Sequence, residues 1–294
     1  MRVAVTGANG NVGRRLIRNL IEQGERDIVA LVRSERSEQT LTDDGLGVDI
    51  RVVNYDDAKD IKNAVEECDI VYHLVGIIKE SRANPFEVAH EAACRALLDA
   101  KLGAQQIINL GIIGTSLSSD NACLKSRAAA EVILNSGSAC VTTVRVPMVL
   151  GEGDYASFAL ARNARKPFVL AFRADSLEQP IDCHDVIAGL LSAARLPPEN
   201  RVLELAGPET LTRRDLIKRA GRILGNEPAV ISIPFSVGAL LAAGLERVSS
   251  SPPITRAMLG VLDHDDEVDT REACELLGIT LTPLVETLNR VVSA

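Results

Sequence analysis

Short runs of aliphatic and β-branched residues alternate, through the first half of the chain, with segments whose apolar residues recur every third or fourth position. The runs Arg2–Thr6, Asp27–Arg33, Val48–Asn54, Asp69–Val75, Gln105–Leu110 and Cys140–Val146 predict strands. The segments Asn11–Gln23, Asp57–Glu67, Pro85–Lys101 and Asn121–Leu134 predict helices between them. Strands this uniformly apolar suit a sheet buried on both faces, and strand–helix alternation predicts a parallel one. After residue 150 the rhythm changes. A turn-rich Gly151–Asp154 precedes a predicted helix over Asp182–Leu196, a strand over Arg201–Leu205 and a helix over Thr212–Leu224 capped by Thr210 or Thr212. The remainder reads as mainly helical, with an irregular link at Ser249–Pro253. The expectation is a doubly wound α/β fold of about seven parallel strands. Residues 1–154, with about 182–206, form its main domain. Residues of about 155–181 and 207–294 form a smaller, mainly helical lobe.

Composition narrows the function. The 294 residues are 46% hydrophobic and 24% charged, which excludes a disordered chain. The net charge of −8 argues against nucleic acid as the main partner, because phosphate neutralisation needs a basic surface. The six cysteines form no CxxC pair and no Cys/His spacing typical of zinc, so the expectation is reduced thiols and no metal. The chain opens directly into a strand-like run, so no signal peptide and a cytoplasmic location are expected. The longest uncharged stretch, Ala229–Leu245, is broken by Pro234 and Gly238 and falls short of the ~20 residues that span a bilayer. It reads as a buried or interface helix, with contact to a membrane surface as the alternative.

The sharpest motif is TGANGNVG, Thr6 to Gly13, between the first strand and the first helix. Glycines there let the backbone turn tightly against a pyrophosphate, while the helix N-terminus offers N–H groups and positive dipole. The second strand ends at Arg33, with Ser34 and Arg36 following, where an NAD-selective site carries an acidic residue. A guanidinium there pairs with a 2′-phosphate, which favours NADP(H) over NAD(H).

With these residues in view, the chain resembles the atypical and extended short-chain dehydrogenase/reductase superfamily of NAD(P)-binding Rossmann proteins. The likeness runs through DIVYHLVG (Asp69–Gly76), RVPMVLGEG (Arg145–Gly153), QPIDCHDV (Gln179–Val186) and AGPE (Ala206–Glu209). Within the superfamily, LVGIIKESRANPFEVAH is most similar to the subgroup of the respiratory complex I nucleotide-binding accessory subunit and its bacterial relatives. The resemblance implies cofactor contacts at Gly7, Asn9, Gly10, Asn11, Val12, Gly13, Arg33, Ser34 and Arg36. It implies further contacts at Asn54, Tyr55, Leu74, Val75, Gly76, Lys125 and Pro147.

Active members of that superfamily use a serine and a Tyr-x-x-x-Lys pair. Here Lys125 stands with Asn121 in the tyrosine position, and an amide cannot titrate near neutrality. The serine position is occupied by the stretch Gly111–Gly114, with Thr115 and Ser116 just beyond. His90, whose ordinary pKa suits proton transfer, is the candidate replacement acid, against the alternative of a plain polar helix residue. Tyr155 and Arg173 are candidate substrate contacts, while Tyr72 and His73 read as core residues. Asp182 and Asp185 read as helix N-terminal residues favoured by the dipole, and His264–Glu267 as a loop. The leading expectation is NADPH-dependent reduction of a carbonyl or quinone-like substrate. The rivals are a catalytically silent NADP(H)-binding accessory or redox-sensor protein, and a nucleotide-sugar epimerase or dehydratase. Expected partners are a small molecule or another protein, including peripheral membrane or respiratory-complex contact, with the chain a monomer or a homodimer.

Overall fold

The computed structural model describes residues 1–81, 84–100, 106–248, 255–261 and 264–293. The expected Ser249–Pro253 link, and the ends Lys101 and Gln105, lie outside the described residues. The chain divides into two compact units. The first comprises Met1–Arg145 and Ile187–Leu203, the second Val146–Val186 and Glu204–Ala294.

In chain order the elements begin β1 (Arg2–Thr6), α1 (Asn11–Glu22), β2 (Asp27–Val32), α2 (Glu35–Asp43), β3 (Asp49–Val52), α3 (Ala58–Val65) and β4 (Ile70–His73). A π-helical turn, Glu87–Ala92, runs into α4 (Ala93–Asp99), followed by β5 (Gln106–Ile112), α5 (Ala122–Asn135) and β6 (Cys140–Val146). Next come β7 (Val149–Leu150), α6 (Tyr155–Ala164), β8 (Phe168–Phe172), β9 (Leu177–Glu178), β10 (Ile181–Asp182), α7 (Cys183–Ala193) and β11 (Arg201–Glu204). The chain closes with β12 (Leu211–Thr212), α8 (Arg213–Ile223), β13 (Ala229–Ile233), α9 (Phe235–Val248), α10 (Arg256–Val261), α11 (Arg271–Leu277) and α12 (Leu284–Ser293).

The first unit is built on a seven-stranded sheet of order β11-β6-β5-β4-β1-β2-β3. This is the doubly wound α/β Rossmann-like arrangement that the alternation implied. β1 pairs in parallel with β2 and β4, and the order reverses there, so the crevice beyond their C-terminal ends is the place where such sheets bind ligands. Ala4, Val29, Leu31, Val71 and Ile107 on the strands pack against Ile61, Val65, Leu97 and Leu134 of α3, α4 and α5. Burying one such aliphatic side chain contributes roughly 1.5–3 kcal/mol.

Two departures from the periodicity shape the site. Helix α2, which no apolar stripe announced, buries only Ser37 and Leu41 and is started by Ser34, whose side chain accepts from Ser37 N–H at 3.3 Å. β4 stops at His73 rather than Val75, because Leu74 N–H turns to Thr6 Oγ1 at 3.1 Å.

The second unit has its own core, in which Leu160, Val169, Leu216, Ile217, Leu288 and Val292 converge. Its strands form three pairs, β10-β7, β12-β9 and β13-β8. Thr212, not Thr210, caps α8, accepting from Asp215 N–H at 3.1 Å. No helix among the described residues is long and apolar enough to cross a membrane.

Candidate functional site

The turn between β1 and α1 is shaped by two glycines. Gly7 has φ of +67°, a conformation costly for other residues. A Cβ on Gly13 would lie 2.6 Å from the Gly7 carbonyl oxygen, so only glycine lets α1 approach the turn this closely. Gly10 closes the turn by donating its N–H to Gly7 O at 3.0 Å, and α1 starts there without a side-chain cap. The first N–H groups of a helix have no intrahelical acceptor, so this end is an anion site in waiting.

Around the turn lies a cleft of about 690 Å³, wholly within the first unit. Of the sequence-predicted residues, Gly7, Asn9, Gly10, Arg33, Asn54, Tyr55, Leu74, Val75 and Gly76 line it. Arg33 is exposed at the end of β2, and Asn9 reaches across to donate to Ser37 Oγ at 3.0 Å. Asp56 and Asp60 line the far side of the cleft, where Asp60 accepts from Asn54 N–H at 3.2 Å.

Tyr55 has a structural task besides lining the cleft. Its hydroxyl donates to Leu31 O at 2.6 Å and accepts from Gly7 N–H at 2.8 Å, bracing the glycine turn against β2. Burial holds its phenol above the ordinary tyrosine pKa.

Other expected contacts lie elsewhere. Asn11, Val12 and Gly13 form the first turn of α1, with Gly13 on its buried side. Ser34 is engaged as the cap of α2, and Arg36 is exposed on that helix. Pro147 sits in the bend between β6 and β7, in the second unit. Tyr155, 68% exposed, opens α6 of the second unit. Arg173 follows β8 in that unit with φ of +42° and pairs with Asp265 at 3.5 Å.

The α5 helix turns a different pair inward from the one expected, and neither of the two lines the cleft. Asn121 caps it, accepting from Leu124 N–H at 3.1 Å, and Lys125 is exposed. Two residues further on, Cys123 and Arg127 lie against the segment that follows β4. Cys123 Sγ donates to Ile77 O at 3.5 Å. The Arg127 guanidinium lies against Gly76 so closely that any side chain there would collide with it, and it donates to Leu110 O at 3.2 Å. A signal for this register was in the sequence: Cys123, Arg127, Ala130, Glu131 and Leu134 follow one helical stripe.

Burial lowers the Arg127 pKa, yet an arginine keeps its charge in proteins. Glu131, buried behind it, is held by Arg145 at 2.6 Å. The other titratable groups around Arg127 are neutral. His90, in the π turn, is buried with Nε2 lying 3.1 Å from Ile77 N and 3.0 Å from Ile77 O. Burial, with Arg127 adding repulsion, lowers its pKa to about 3. His73 Nδ1 lies 3.0 Å from Thr6 Oγ1, and burial lowers its pKa to about 3 as well. Burial pushes Cys123 up to about 11 and Cys94 up to about 12. A histidine with so low a pKa holds no extra proton at neutrality, so His90 is not poised as a general acid. The arrangement provides a glycine-lined anion cradle, an exposed arginine at its rim and a half-buried arginine beside Gly76.

In the second unit, Glu152, Cys183 and His184 bring one potential ligand atom each to within 4.8 Å of one another. The Arg290 guanidinium bridges Glu152 and Asp182 there and supplies positive charge to the carboxylates. Asp182 and Asp185 serve the fold: Asp182 accepts from Thr287 Oγ1 at 2.7 Å, and Asp185 from Thr282 N–H at 2.7 Å.

The chain is 27% identical over 248 residues to the mitochondrial NADH dehydrogenase [ubiquinone] 1 alpha subcomplex subunit 9 of Arabidopsis thaliana, covering 81% of this chain but only 62% of that protein. It is 26% identical over 263 residues to the ceramide reductase of Caulobacter vibrioides, covering 88% of this chain and 81% of that one. Among solved structures, the triphenylmethane reductase of Citrobacter sp. superposes over 100% of both chains with a TM-score of 0.77 at 20% identity, a likeness of fold. The profile of the family described as NAD(P)H-binding matches residues 7–166. That match takes in the glycine turn, the whole cleft and more than half of the chain, and the chain belongs to the NAD(P)H-binding family.

Proposed function

We propose that this chain holds NADP(H) in the first-unit cleft and reduces a carbonyl or quinone-like acceptor. The observation that carries the reading is the cleft itself, with the glycine cradle at its base and Arg33 at its rim. The Gly7–Gly13 turn would hold the pyrophosphate, Arg33 the 2′-phosphate and Asn54 with Val53 the adenine side. Leu74, Val75 and Gly76 would border the nicotinamide half. A bound nicotinamide supplies a hydride. Arg127, behind Gly76 and outside the cleft lining, would lend positive potential toward the developing oxyanion.

His90 and Cys123 give the acceptor no ready proton, which suits quinones and acidic phenols, whose reduced oxyanions need little help. The likeness to a protein named ceramide reductase supports a reductase activity. The six free cysteines fit a reducing compartment such as the cytoplasm. The test is to load the purified chain with NADPH and follow its oxidation against a panel of quinones and ketones. Oxidation by a panel member above the protein-free rate supports the reading, and NADPH that stays reduced against the whole panel counts against it.

A second reading is favoured by the same neutral His90 and protonated Cys123: a cofactor-holding accessory protein without turnover. The likeness to the plant NADH dehydrogenase subunit supports it. An epimerase has less support. It needs a base to take a proton from a sugar hydroxyl, and burial raises the pKa of both Tyr55 and Tyr72.

A further inference from the structure

β8 and β13 pair in parallel in the second unit, with Phe168 opposite Ala229 and Leu170 opposite Ile231. The alternation sends Val169, Ala171 and Val230 into the core. The other face stays outside: Phe168 is 60% exposed, Leu170 58% and Ile231 52%. Among the described residues, one end of that face is covered. There Gly238 of α9 lies against Phe172, so close that a Cβ would come within 2.6 Å of the ring. The same helix presents Val237 and Leu240, three residues apart and both exposed. An apolar surface therefore continues from the sheet onto the helix, of a kind that soluble chains seldom leave open without a use.

The charge beside this face has a definite sign. β8 is entered through Arg165 and Lys166, with Arg162 one turn back on α6, and all three are exposed. None of the three has a carboxylate partner among the described residues; Arg165 donates to Val292 O at 2.9 Å and Lys166 to Asn163 Oδ1 at 3.1 Å, neutral acceptors that leave their charge uncompensated. The neighbouring acids are engaged: Asp175 by Arg214 at 2.9 Å and Glu227 by Arg222 at 2.8 Å. On a chain of net charge −8 this is a local reversal. Apolar side chains flanked by lysine and arginine are how peripheral proteins lie in a lipid interface, with the hydrocarbon groups at the acyl boundary and the cations among anionic headgroups.

We propose that the exposed face of β8 and β13, together with Val237 and Leu240 of α9, seats on an anionic lipid bilayer, with Arg162, Arg165 and Lys166 against its headgroups. The contact is peripheral. It places the second unit on the membrane surface, and it stands independently of the cofactor reading of the first.

The test is flotation of the full chain with vesicles of phosphatidylcholine, with and without phosphatidylglycerol. Wild type floats with the phosphatidylglycerol vesicles, stays behind with pure phosphatidylcholine, and is released by salt of about 0.5 M. At about fivefold per cation, the Arg165→Glu/Lys166→Glu variant loses at least about twentyfold in partitioning. Leu170→Glu/Ile231→Glu loses as much, since it puts charge where hydrocarbon should be. Unchanged dinucleotide affinity and thermal unfolding confirm that each variant is folded. Wild type that does not float, or floats equally on both vesicles, overturns the proposal. So do variants that partition like wild type. A concentration-dependent dimer abolished by Leu170→Glu/Ile231→Glu, without vesicle binding, assigns the face to a second copy of the chain instead.

Discussion

Replacing Tyr55 with phenylalanine keeps an aromatic ring in the cleft and removes one oxygen. A residue that served only to flank an adenine would tolerate that change. The structure says otherwise, because the hydroxyl ties Gly7 N–H at 2.8 Å to Leu31 O at 2.6 Å. Leu31 O keeps a second partner in Ala8 N–H at 3.2 Å, so its loss is partial. Among the described residues Gly7 N–H has no such substitute, and leaving a half-buried donor unsatisfied costs about 1–3 kcal/mol. The sum expected for Tyr55→Phe is about 2 kcal/mol of first-unit stability. That corresponds to roughly 4–8 °C in melting temperature for a domain of this size. The pH dependence follows from the same contacts. Because the folded pKa of Tyr55 lies above its unfolded value, its contribution is complete below about pH 10 and fades as the pH rises beyond it. The variant should therefore lose part of wild type's alkaline sensitivity as well as its stability. Urea melts at pH 7 and pH 11, with and without NADPH, measure both effects. A variant that melts like wild type at pH 7 would refute the bracing role of the hydroxyl.

Three further expectations follow. Arg33→Ser should weaken NADPH binding roughly ten- to hundredfold, the value of a charge-assisted hydrogen bond, and leave NADH nearly unchanged, as calorimetric titration would show; equal losses for both would remove Arg33 from phosphate recognition. Lys125→Ala, at an exposed site, should leave stability within about 0.5 kcal/mol and NADPH affinity intact, whereas Arg127→Ala should lower both; the reverse pattern would restore the Asn121/Lys125 register. Buried neutral His73 and His90 should make stability fall as the pH drops below about 6.5, by about 2 kcal/mol each at pH 5, because the unfolded chain takes up protons that the folded one refuses; denaturant melts across that range that show no loss would refute their burial as neutral groups.

The sheet was legible because strands buried on both faces must be largely apolar, and β1, β2, β4, β5 and β6 follow such runs, whereas β3, at the sheet edge, is half exposed and shorter than its run. The glycine turn was legible because glycine at a positive φ, and glycine where a helix's first turn presses on backbone, have few substitutes. Helix α2 was not, since it lies on the surface with only two buried positions, and its start is marked by a capping serine rather than a stripe. The pair on α5 was obscured by one capping residue. Asn121 precedes the first helical turn and spends its side chain on Leu124 N–H, so counting from it places Lys125 on the solvent side. The stripe through Cys123 and Arg127 points inward, but a half-buried arginine on an apolar stripe reads in the sequence as a surface charge. Tyr55's second role was beyond sequence reasoning, because its partners Leu31 and Gly7 are brought to it only by the order of the sheet.

The central claim is that the Gly7–Gly13 turn and Arg33 hold a phosphorylated dinucleotide. Calorimetric titration of the purified chain with NADPH, NADP⁺, NADH and NAD⁺ tests it most directly. The account predicts saturable one-to-one binding, with the phosphorylated pair favoured at least about tenfold, the value of about 1.4 kcal/mol that one charged contact readily supplies. Binding of NADH as tight as that of NADPH would contradict the role of Arg33. No binding of any of the four would contradict the reading of the cleft.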